Sequence, residues 1–90
     1  MKVVINKCYG GFGLSVEAYK FLSIPWDGYG FEFRKDRSNP ALVKCVEALG
    51  DKSSGGLSNL KVVEIPDDVE WEIEEHGGVE WVTEKHRKWE

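Results

Sequence analysis

Ninety residues with a 41% hydrophobic and 31% charged composition make one globular domain, too short for a second core and too apolar to stay disordered. The longest apolar runs are only a few residues long, which excludes a membrane-spanning helix. The formal net charge of -4 argues against direct nucleic-acid binding, which calls for a basic surface.

The charge is unevenly placed. Residues 1–61 carry nine Lys/Arg against six Asp/Glu, whereas residues 62–84 carry nine acids and no Lys or Arg. The chain then ends in the basic tail Lys85-His86-Arg87-Lys88-Trp89-Glu90. Met1-Lys2 runs directly into a strand pattern with no charged-then-apolar leader, so a cytoplasmic protein is expected. Two cysteines are too few for a disulfide framework. Cys45 falls in a helical pattern as a small buried hydrophobe, and Cys8 sits in a glycine loop, also expected as a packing residue.

In chain order, residues 2–7 predict a strand with Val3, Val4 and Ile5 covered on both faces. The loop Tyr9-Gly10-Gly11-Phe12-Gly13-Leu14 follows, and Ser15 is positioned to cap a helix near 15–23 that Pro25 ends. Trp26-Asp27-Gly28-Tyr29-Gly30 reads as an aromatic turn, and Phe31-Glu32-Phe33 as a brief strand. Ser38 or Asn39 before Pro40 opens a second helix near 40–49, with Leu42, Val43, Val46 and Leu49 on one face and Gly50 as its stop. Strands are predicted near 60–65, 69–75 and 79–84, the last two joined at His76-Gly77-Gly78. The fold expected is a small α+β domain, with a mostly antiparallel sheet and both helices on one face. In that arrangement β-strands 60–84 form a meander, and Val69, Trp71, Ile73, Val79 and Trp81 face the helices.

Two surfaces are candidates for function. Three glycines in four positions before a helix let something approach the backbone closely, although they form neither a Walker loop nor a dinucleotide fingerprint. A phosphate-bearing ligand there would meet Lys7, Arg34 and Arg37, lie along Gly10, Gly11, Gly13 and Ser15, and stack a base on Tyr9, Phe12 or Trp26. The second candidate is the ladder Glu70, Glu72, Glu74, Glu80 and Glu84, which reads as a solvated strand face or as an acidic array presented to a basic groove of a partner protein. His76 and His86 have no metal-ligand spacing, and no pair of acids or nucleophile with a base stands out. Neither metal nor cofactor is expected, and the spacing supports no enzyme.

The stretch from Lys2 to Ser15 (KVVINKCYGGFGLS), the stretch from Leu60 to Ile73 (LKVVEIPDDVEWEI) and the ending Glu84-Lys85-His86-Arg87-Lys88-Trp89 resemble a family of small tailed-bacteriophage proteins with no established activity. The resemblance extends to the helix at 40–49 and is least over residues 24–38. It implies a phage accessory protein in the bacterial host cytoplasm, of a class that counters host immunity by sequestering a nucleotide signal or blocking a host defence protein. A homo-oligomer is expected.

Overall fold

The structure, a computed structural model, describes residues 1–84; the basic tail and His86 lie outside them. Its elements are β1 (Lys2–Asn6), α1 (Val16–Leu22), α2 (Pro40–Leu49) with a 3₁₀ turn at Gly50–Ser53, β2 (Leu60–Glu64), β3 (Trp71–His76) and β4 (Val79–Glu84). This is a small α+β domain with four antiparallel strands in two two-stranded sheets. No helix among the described residues is long and apolar enough to cross a membrane.

Local chemistry explains both helices. Ser15 accepts a hydrogen bond from the Ala18 amide at the start of α1, and Ser23 closes it in the left-handed region. Asn39 accepts from the Ala41 amide, Pro40 fills the first position of α2 where no N–H is needed, and Gly50 ends it. Tyr19 and Ala18 of α1 and Leu42, Val43, Cys45 and Val46 of α2 join Val4, Phe12, Leu14 and Leu60 in one buried cluster. Val3 and Ile5 are buried as well, on the alternate side of β1, so that strand is covered on both faces.

The meander does not form. β1 pairs with β2, Lys2 opposite Glu64 and Asn6 opposite Leu60, while among the described residues β3 pairs only with β4. Pro66-Asp67-Asp68 turns the chain away from β2, and β4 instead comes up to the far edge of β1. The hairpin faces also differ from expectation. Gly77 and Gly78, both at positive φ, form a two-residue turn that sets His76 opposite Val79. Trp71 and Ile73 therefore lie opposite Glu84 and Val82, while Trp81 lies opposite Glu74. Directly opposed residues share a face, so Trp71 and Ile73 are on one side and Val79 and Trp81 on the other. Val69, Trp71, Ile73 and Val79 are half-buried, Trp81 is exposed, and none belongs to the main core.

Residues 31–33 form no strand: Phe31 is irregular and residues 32–35 form a turn. The Asp27 carboxylate accepts from the amides of Tyr29 (2.7 Å), Gly30 (2.6 Å) and Phe31 (3.1 Å), and the Tyr19 hydroxyl accepts from the Glu32 amide (2.9 Å), so two donors of the expected strand are taken within the loop.

Candidate ligand-binding groove

The glycine loop is held at two places by close packing. A side chain at Gly10 would run into Leu57, and one at Gly78 would run into the Tyr9 carbonyl, so the loop is pinned between the 55–58 segment and the tip of the β3–β4 hairpin. Asn6, fully buried, ties the same parts together. Its side chain donates to the carbonyls of Cys8 (2.6 Å) and Gly78 (2.7 Å) and accepts from the Asn59 amide (2.8 Å).

Between this loop and its neighbours runs an open groove of about 280 Å³, lined by Gly10, Gly11, Phe12, Gly13, Tyr29, Phe31 and residues 55–58. Tyr29 and Phe31 stack in parallel with ring centroids 5.6 Å apart. Tyr29 remains 73% exposed, leaving aromatic surface for a planar group. Gly13 and Gly56 form part of the lining, and neither has positive φ or any atom within 4 Å of an added Cβ. Neither local conformation nor packing calls for glycine there.

Phe31 also borders an adjoining hollow of about 450 Å³ with Asp27, Glu32, Phe33, Arg34, Lys35 and Asp36. The Arg34 guanidinium lies 5.0 Å from the Phe31 ring centroid, exposed to solvent, and no ion pair engages Arg34 or Lys35 among the described residues. The loop carrying these groups is shaped by Asp27. Donation from the Gly30 amide foremost, with those of Tyr29 and Phe31 and the Tyr19 hydroxyl, holds its carboxyl down at about 2. Tyr19 is itself pushed up to about 12, chiefly by burial.

The expected site residues divide. Gly10, Gly11, Phe12 and Gly13 line the groove, and Arg34 lies in the adjoining hollow. Ser15 does its work as the α1 cap, with its hydroxyl donating to the Lys52 carbonyl. Tyr9 is exposed beside Gly77 rather than in the groove lining. Trp26 packs edge-on against Tyr19, centroids 4.8 Å apart, and is also outside the lining. Lys7 reaches toward the Glu80 carbonyl at 3.5 Å.

Arg37 is the clearest departure. It is 8% exposed, and its fork meets the Glu80 carboxylate at 2.6 and 2.8 Å. Its Nε donates to the Arg34 carbonyl at 2.7 Å, and its guanidinium carbon sits 3.9 Å from the Phe12 ring centroid. The buried pair takes the place of a missing strand along the outer edge of β1. The Val4 amide donates to the Arg37 carbonyl (2.9 Å), and the Asn6 amide donates to Glu80 Oε1 (2.7 Å). With both fork positions occupied by Glu80, Arg37 is a structural cation and not a phosphate ligand.

The same pair removes Glu80 from the acidic ladder. Glu70, Glu72, Glu74 and Glu84 are exposed. Glu72 and Glu74 share a face with Trp81, whose indole N–H donates to Glu74 Oε2 at 3.2 Å, while Glu84 sits on the opposite face across from Trp71.

Tyr29, Phe31 and Gly56 were not among the residues expected at a site. For the two aromatics the signal lay in Asp27-Gly28-Tyr29-Gly30-Phe31, a carboxylate-centred turn that presents them outward. Gly56 lies in a stretch separated from the glycine loop by some forty residues, joined to it only by the fold, through the Gly55 amide on the Gly13 carbonyl (2.9 Å). Comparison of the chain with protein-family models, with curated proteins and with solved structures finds no match.

Proposed function

We propose that the protein is a phage accessory binding protein that holds a small nucleotide-type ligand and thereby counters a bacterial immune system. The ligand's base lies in the glycine groove against Tyr29, and its phosphate reaches around Phe31 to Arg34 and Lys35. The openness of Gly13 and Gly56 carries this reading. Glycine costs conformational entropy wherever alanine would fit, so two unforced glycines in one groove are accounted for by a ligand lying against the backbone. An exposed aromatic stack beside unpaired cations supplies the complementary chemistry of a base and a phosphate. The phage origin and the anti-defence role rest on the resemblance of the two terminal motifs.

Native followed by denaturing mass spectrometry of protein purified from its bacterial host tests the reading. A native mass above a whole multiple of the chain, with a nucleotide-sized compound released on denaturation, is the expected result and also gives the stoichiometry. Gly13→Ala provides the site-specific check. It is expected to raise stability by about 0.4–1 kcal/mol in urea denaturation, as at other unstrained glycines, while abolishing retention of the compound. Undiminished retention in that variant would remove the groove from consideration.

A further inference from the structure

We infer that the site accepts a ligand bearing a single negative charge at its phosphate, a phosphodiester, and discriminates against nucleoside polyphosphates, with Glu32 as the specificity-determining residue. This rests on the groove reading above and concerns the charge of the ligand it takes.

The hollow that receives the phosphate is not a cationic funnel. Arg34 and Lys35 share its lining with Asp27, Glu32 and Asp36, so two positive side chains stand among three carboxylates. Two of the acids have internal duties. Asp27 organises the loop through the amides of Tyr29, Gly30 and Phe31, and Asp36 accepts from the Asn39 side chain at 2.9 Å. Glu32 has none: its carboxylate accepts no hydrogen bond and joins no ion pair among the described residues, and its backbone amide donates to the Tyr19 hydroxyl at 2.9 Å. A free carboxylate next to the two available cations is electrostatically unfavourable for an anion site unless it limits how much negative charge can enter.

One phosphodiester charge can be met by the Arg34 fork and Lys35. A triphosphate carries more negative charge than these two cations can answer, and the excess faces the carboxylates. These groups line one hollow and are exposed, so the effect is strongest at low ionic strength, where the Debye length is longest. Repulsion from Glu32 grows in proportion to the ligand's charge, whereas the stacking contribution of the base stays constant.

The test is calorimetric titration of wild type, Glu32→Gln and Arg34→Ala with the dinucleoside monophosphates ApA, GpG and UpU and the triphosphates ATP, GTP and UTP. Wild type is expected to bind one of the dinucleoside monophosphates at least about tenfold more tightly than the matching triphosphate. Glu32→Gln should tighten the triphosphate about tenfold and the dinucleoside monophosphate less than about twofold, as expected when the effect scales with charge. Arg34→Ala should weaken both. A wild type that prefers the triphosphate, or a Glu32→Gln ratio equal to the wild-type ratio, overturns the charge limit while leaving the groove in place. Absence of binding by all six compounds overturns the groove reading itself, and the inference with it.

Discussion

Arg34 and Arg37 lie three residues apart and look equivalent in the chain, yet the fold gives them opposite tasks. Arg37 is buried against Glu80 and Phe12, and Arg34 is exposed above Phe31. Removing one partner of a buried ion pair leaves an uncompensated charge and typically costs about 3–5 kcal/mol. Arg37→Ala is therefore expected to lose stability on that scale in urea denaturation, whereas Arg34→Ala should stay within about 0.5 kcal/mol of wild type, as surface substitutions do. Equal losses from the two variants would contradict the assignment. Three residues of spacing carry no information about burial in a loop, where neither a helical nor a strand period applies. The partner that decides the matter, Glu80, is more than forty positions away in sequence.

At the scale of elements, the 27–36 loop and the β3–β4 hairpin each owe their form to a small feature. The loop depends on ionised Asp27, whose carboxyl is held at about 2 against an ordinary value of 3.8. A group with a depressed folded value stabilises above its ordinary range, and that stabilisation disappears as pH falls toward the folded value. Melting temperatures of wild type and Asp27→Asn should accordingly differ at neutral pH and converge between pH ~4 and ~2. A gap that is constant with pH would show that the carboxylate's charge is immaterial. The hairpin's register follows from its two-residue glycine turn, while strand alternation puts Glu72 and Glu74 on the same face, at the free edge of β3 among the described residues. A second copy pairing antiparallel on that edge about Ile73 would set Glu72 against Glu74 of the other copy, and like charges directly opposed discourage such pairing.

Across the whole molecule, the two sheets are joined by side chains rather than by a backbone ladder. The Arg37–Glu80 pair and the Asn6 side chain connect β1 to the hairpin, and the hairpin tip in turn supports the glycine loop. Gly78→Ala would place a methyl group against the Tyr9 carbonyl at a positive φ of 97°. It is expected to cost more than about 1 kcal/mol and to raise hydrogen-exchange rates in both the hairpin and residues 8–13. Faster exchange confined to the hairpin would mean that the tip does not brace the loop.

What the sequence determined by itself was whatever depends on neighbours in the chain. Ser15 and Asn39-Pro40 mark the helix starts because capping acts over three or four residues, and the apolar run of β1 marks a strand covered on both sides because side chains alternate with period two. The glycine loop was legible as a candidate site for the same reason. The tertiary structure alone decided which strand lies beside which, that β4 approaches β1, and that Glu80 and Arg37 meet inside. It also decided that Tyr29, Phe31 and Gly56 complete the groove. Those outcomes depend on closing long loops against backbone donors left over by distant strands, and no local propensity encodes them.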